Sequence, residues 1–132
     1  MILVDTSVLI DLFSGRENRP TLLLRRLIQD SEPFYLAPPI IREVLQGARN
    51  EADWRRLRSY LTSQMMVDAT DGLVSEVAAA RIYFECRRRG LTVRSAADCL
   101  IAQIALENDL ALLHNDRDFE AIRKVRPLKT LP

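Results

Sequence analysis

Short apolar runs of strand length alternate with longer stretches of helical period along the whole chain, and this alternation restricts the fold more than any other feature. Ile2, Leu3 and Val4 form the kind of run that fills a parallel strand covered on both faces. PFYLAP, QMMVDA, LALLH and the edge segment PLKTL read as further strands. Between them lie stretches of helical period. The first, capped by Thr6 or Ser7, carries Val8, Leu9, Leu12 and Phe13, and the next has apolar residues at 22, 23, 24, 27 and 28. A helix opened by Pro38-Pro39 runs through Ile40, Ile41, Val44, Leu45 and Ala48, followed by EADWRRLRSYL. GLVSEVAAARIYFECRRR, capped by Thr70 or Asp71, stops at Gly90, and SAADCLIAQIALEN and DRDFEAIRKV complete the set. No long loop, repeat or low-complexity linker interrupts the order, which predicts a three-layer α/β/α sandwich around a mainly parallel sheet. A length of 132 residues suits one domain, 1–132.

Composition narrows the chemistry. No segment approaches the roughly 18–20 uninterrupted apolar residues of a membrane span, and Asp5 breaks any signal-peptide reading of the N-terminus, so the expected location is the cytoplasm, with no membrane partner. Cys86 and Cys99 stand alone, without metal-ligand spacing, and the single histidine, His114, cannot build a histidine-rich metal site. Carboxylates are left to carry the chemistry. The net charge of +1 gives no global signal for nucleic acid, but seventeen of the nineteen basic residues are arginines, several of them clustered. Arginine's planar fork suits phosphate, although such runs also serve as solvated helix faces.

In a parallel α/β sheet, ligand sites lie at the carboxyl ends of the strands. Asp5 ends the first strand, Asp116 follows LALLH with Asp118 two residues on, Asp98 stands in the first turn of a helix starting at that edge, and Glu43 lies about one turn into the helix leaving PFYLAP. Each has an ordinary alternative. Asp5 suits a strand-to-helix turn, Asp98 fits the capping pattern Ser-x-x-Asp, Asp116 is a good N-cap, Asp118 suits a first helical turn, and Glu43 falls off its helix's apolar stripe like a surface glutamate. Their convergence on one rim carries more weight than any one of them. Clustered carboxylates repel unless a cation neutralises them. An all-oxygen set without His or Cys selects Mg²⁺ or Mn²⁺, and the chemistry expected of such a site is metal-assisted phosphoryl hydrolysis.

VDTSVLIDLF, a glutamate inside an early helix, RSAADCLIAQIAL and HNDRDF together resemble the PIN domain, specifically the VapC toxins of bacterial toxin–antitoxin pairs, over nearly the whole chain. The resemblance implies a Mg²⁺- or Mn²⁺-dependent endoribonuclease, usually a homodimer, held inactive by a cognate VapB-type antitoxin. By position, Asp5, Glu43, Asp98 and Asp116 match the family's acidic quartet, Asp118 a frequent fifth acid, and Thr6 or Ser7 the hydroxyl residue supporting the first acid. His114 stands where Thr or Ser is common.

On this reading Asp5 and Asp98 anchor a metal, Asp116 and Asp118 complete the site directly or through water, and Glu43 orients or deprotonates the attacking water. Arg94, Arg117 and the group Arg87, Arg88 and Arg89 are candidates for holding the RNA backbone. Apolar residues around Leu22–Leu27 and Trp54–Leu61 either receive a partner helix or belong to the core. Two alternatives keep the fold: an RNA-processing nuclease that is not a toxin, and a non-catalytic domain binding RNA or a partner, whose acids only cap helices. An aspartate-nucleophile phosphatase would need a second acid at position 7, which is Ser, and a receiver-like module lacks its early acidic pair.

Overall fold

The computed structural model describes residues 1–132. The elements follow the order β1 (Ile2–Val4), α1 (Thr6–Phe13), α2 (Arg19–Gln29), β2 (Tyr35–Leu36), α3 (Pro38–Gln46), α4 (Glu51–Thr62), β3 (Met65–Met66), α5 (Gly72–Arg88), α6 (Ala96–Glu107), β4 (Ala111–Leu113), α7 (Arg117–Ile122) and β5 (Thr130–Leu131). Local chemistry sets most helix starts. Asn18 and Thr21 form a reciprocal capping box for α2, Asn50 caps α4 through the Asp53 amide, and Asp71 caps α5 through the Val74 amide. α5 ends where Gly90 takes a φ of 70°, a left-handed conformation that glycine adopts without a side-chain clash.

The five strands form one sheet in the order β3-β2-β1-β4-β5, and every pairing is parallel. β1 lies at the centre, with Leu3 opposite both Tyr35 and Leu112. Leu3, Val4, Leu112 and Leu113 are fully buried because helices cover both faces. The strands are shorter than their apolar runs. PFYLAP contributes only Tyr35 and Leu36, and LALLH stops before His114, because pairing ends once the chain turns towards the next helix. α7 ends at Ile122, three residues before the apolar pattern does. Leu24, Leu27, Leu57 and Leu61 belong to the core, while Leu22 and Trp54 stay exposed.

This topology determines where a site can form. After β1 the chain moves outward through β2 to β3, then crosses back to β4 on the other side of β1. The crossover directions diverge between β1 and β4, which opens a crevice at the carboxyl ends of those two strands. α6 runs back along the sheet to feed β4, so its first turn lies at the same edge. The Asp5 amide donates to the Leu113 carbonyl at 2.9 Å and ties the two strand ends together.

Candidate active site

Five acids from four segments meet at this crevice. One carboxylate oxygen from each of Asp98, Asp116 and Asp118 lies within 4.8 Å of the other two. Asp5, Asp98 and Asp118 are only 3%, 6% and 2% exposed, rare for a residue type that is almost never buried without partners. The charge of Asp5 reaches Asp98, and that of Glu43 reaches Asp5, so the group is one electrostatic unit.

Within it the acids are held differently. Asp5 Oδ2 accepts from the Ser7 amide at 3.0 Å and from the Ser7 hydroxyl at 2.7 Å, which makes Asp5 the cap of α1 as well as a site acid. Burial raises its pKa; the Ser7 bonds oppose that and the Glu43 charge adds to it. Asp116 caps α7 through the Asp118 amide at 2.9 Å. For these two acids the capping role and membership of the cluster hold together.

Asp98 and Asp118 separate sharply. The Ser-x-x-Asp capping pattern is not used, because the Ser95 amide donates instead to Asp118 Oδ2 at 2.9 Å and the Arg94 amide to Asp118 Oδ1 at 3.0 Å. Asp118 thus clamps the start of α6 from a distant helix, and these bonds hold its pKa down against burial. Asp98, released from capping, leaves Oδ2 buried with no hydrogen-bond partner. Burial first, then the Asp118 contact and the Asp5, Asp116 and Asp118 charges, push its pKa up to about 9.

Glu43 is half-buried on α3, and its Oε1 is also shielded and unpartnered, as is the hydroxyl of Thr6 beside it. It is therefore no ordinary surface glutamate. Burial raises its pKa while the Arg42 charge pulls the other way.

Of the two hydroxyl residues, Ser7 alone bonds Asp5 through its side chain, while the Thr6 hydroxyl lies near Glu43 without a hydrogen bond. Sequence reasoning missed a further chain of contacts. Ser7 Oγ accepts from the Asn115 amide at 2.9 Å, and Asn115 Nδ2 donates to Asp11 Oδ2 at 2.9 Å, which also accepts from Asn18 Nδ2 at 3.0 Å. Asp11 and Asn115 therefore dock the turn carrying Asp116 onto α1 and join it to Asp5 through Ser7. One signal was available: Asp11 stands four residues after Ser7, on the same helical face, beside Val8 and Leu12. His114 Nδ1 accepts from the Asp116 amide at 3.1 Å, so its ring proton sits on Nε2, and the ring packs on Phe119 at 4.9 Å. Burial lowers its pKa, which agrees with a neutral ring.

Of the arginines singled out, Arg94 meets the acids, at 3.5 Å from Asp116 and 3.6 Å from Asp118. Arg117, the first residue of α7, lines a cavity with Asp116. Arg87 and Arg88 instead lie over Tyr83 and Phe84, and Arg89 donates to the Lys124 carbonyl at 2.8 Å, so these three are engaged away from the acids.

The donor set fits a hard divalent cation. All ligand atoms are oxygens, two of the shielded ones lack partners, and Asp98 stays protonated near neutral pH without a compensating charge. Asp98 and Asp116, with Asp5 beside them, are the residues that would hold such an ion, leaving Asp118 largely occupied as a clamp.

A family model for the PIN domain matches residues 2–125. The chain is 32% identical over 130 residues to VapC ribonuclease Mb1587 of Mycobacterium bovis and to Ribonuclease VapC11 of Mycobacterium tuberculosis, covering 98% of this chain and 96% of each relative. Among solved structures, VapBC2 from Rickettsia felis bound to a promoter DNA fragment aligns with a TM-score of 0.72 at 14% identity, over 99% of this chain and 98% of that one. VapBC-1 from nontypeable Haemophilus influenzae aligns with a TM-score of 0.72 at 22% identity, over 99% and 97%. At these identities the structural likeness speaks for the fold.

Proposed function

We propose that this chain, which belongs to the PIN-domain family, is a metal-dependent endoribonuclease acting as the toxin of a VapBC-type toxin–antitoxin pair. The single observation that carries the chemistry is the buried Asp98 Oδ2, which has no hydrogen-bond partner and faces other carboxylates in the switch-point crevice, an arrangement a divalent cation makes tolerable. The metal is Mg²⁺ or Mn²⁺, given the oxygen-only donors. The 130-residue alignment with VapC ribonucleases supports RNA as the substrate and a VapB-type antitoxin as the partner. We place residues 1–132 in one nuclease domain that works as a homodimer in the cytoplasm, where its RNA substrate lies. No helix is long and apolar enough to cross a membrane.

When bound, the cation would polarise a phosphoryl oxygen and lower the pKa of a water. The protein's own residues do the rest. Asp5, Asp98 and Asp116 would hold the ion, with Asp5 fixed by Ser7 and Asp116 by its own helix and the His114 ring. Asp118 keeps the first turn of α6, and so Asp98, in register with β4. Glu43, its pKa raised by burial, is suited to accept the proton of the attacking water. In-line attack of water on phosphorus breaks the bond to the 3′ oxygen, leaving a 3′-hydroxyl and a 5′-phosphate, and the 2′-hydroxyl takes no part.

Asp5→Asn tests this. The variant keeps an oxygen for the Ser7 cap, so it should fold, while cleavage should fall on the order of 1,000-fold, the several kcal/mol of charge stabilisation a metal supplies. Undiminished cleavage by folded Asp5→Asn would remove the assignment. Mapping new RNA 5′ ends after induced expression would identify the target.

A further inference from the structure

A cavity of about 570 Å³ opens beside the acids on the β5 side of the crevice, between the start of α2 and α7. Most of its lining residues are polar. Asp116 stands at one wall with His114 and Asn115, and three guanidinium groups come from Arg19 at the start of α2 and from Arg117 and Arg123 at the two ends of α7. Arg123 is already paired with Glu120 at 3.0 Å. Arg19 and Arg117, each the first residue of its helix, form no ion pair and are exposed. Two free guanidinium groups therefore face a space that shares Asp116 with the metal-binding acids.

This space differs from the one between α1, α3 and α4. That cavity, about 510 Å³, mixes Ile10, Phe13, Val44 and Leu57 with Arg49, Asp53 and Arg56, and holds none of the site acids. A flexible polyanion running through the crevice suits the cavity beside the acids, where unpaired arginines adjoin the reacting position and polar edges stand ready for a base or ribose.

We propose that the Arg19–Arg117 cavity is the subsite that holds the RNA strand next to the cut, with the two guanidinium groups gripping the phosphate adjoining the scissile one. This rests on the nuclease reading above. It assigns Arg19, which sequence reasoning passed over, and gives Arg117 a defined role. It also makes the strand's path one-sided, leaving the crevice over α7 and β5 and away from α4.

The test measures binding separately from cleavage. A fluorescein-labelled 12-nucleotide single-stranded RNA of mixed sequence is titrated with Asp5→Asn protein in Mg²⁺, with and without Arg19→Ala/Arg117→Ala, over a range of salt. Loss of the grip on that one phosphate should weaken binding about tenfold and reduce the log–log salt slope by about 0.7, the contribution of each phosphate neutralised on a single strand. Arg55→Ala/Arg58→Ala on α4, removing the same charge at the other end of the sheet, should leave the slope nearly unchanged. Equal affinity and slope with and without Arg19 and Arg117, equal losses in the α4 control, or no RNA binding by either form would overturn the proposal. Absence of cleavage by the unmutated protein with Mn²⁺, alongside the expected loss of binding, would refute the nuclease reading and keep the RNA subsite.

Discussion

The first turn of α6 and the first turn of α7 each bury an aspartate in the same crevice, yet the two carboxyls behave oppositely. Asp118 receives backbone N–H groups on both oxygens and stays ionised although its side chain is also shielded from solvent. Asp98 has an oxygen with no partner and is driven towards the neutral form, with a pKa of about 9. Burial alone therefore does not decide a carboxylate's charge; the hydrogen bonds it has already accepted do. A carboxylate satisfied by the backbone serves as a fastener, and one left unsatisfied among its own kind is poised for a cation.

Activity should separate the two turns most strongly. Asp98→Asn is expected to cut RNA cleavage on the order of 1,000-fold while raising the melting temperature in EDTA at pH 8 by about 4 °C or more, since it removes a charge-repelled acid. Asp118→Asn should lose activity and stability together, its melting temperature falling by roughly 4–8 °C or more, because an amide nitrogen then faces a backbone N–H. Similar melting shifts for both variants would break the distinction.

The pH dependence follows with opposite signs. Between the unfolded carboxyl value, roughly 4, and its native value of about 9, Asp98 holds a proton that the unfolded chain has released, so metal-free stability falls as pH rises through that window. Asp118, with its native pKa lowered, contributes stability that is present above the unfolded value and is lost as pH falls through the native one. Thermal melts in EDTA should therefore decline from pH 5 to about 9, and Asp98→Asn should flatten that decline. A smaller effect is expected from ligand linkage. Mg²⁺ or Mn²⁺ at about 100 times its dissociation constant should add roughly 2.7 kcal/mol to the native protein, and much less to Asp98→Asn.

The smallest of these effects concerns the fastening around the turn at residues 114–116. Asn115→Ala removes the link from Asp11 to the turn bearing Asp116 while leaving every acid in place. It should lower metal affinity or kcat by about 10–100-fold, as is usual for residues that orient ligands, with little change in melting temperature. A fall in melting temperature with metal affinity intact would make Asn115 a structural residue only.

The alternation of strand-length and helix-length apolar patterns in the sequence was sufficient for the layered α/β class, and the placement of Asp5, Asp116 and Asp118 after strands was visible from the same order. Glu43 and Asp98 were less legible, because helical period and capping patterns gave each an ordinary explanation. Asp11 and Asn115 escaped notice because their partners lie far away in the chain, Asn115 being bonded to a residue in the first helix.

By itself, then, the sequence determined the element types, the parallel architecture and the chemical character of the site, since apolar periodicity and side-chain type are local properties. The tertiary structure alone decided which acids accept backbone amides and which are left bare. It also decided that Arg94 faces the acids while Arg87–Arg89 do not, and that Arg19 shares a cavity with Asp116. Those outcomes depend on contacts between segments dozens of residues apart, and a carboxylate's charge depends on the space around it.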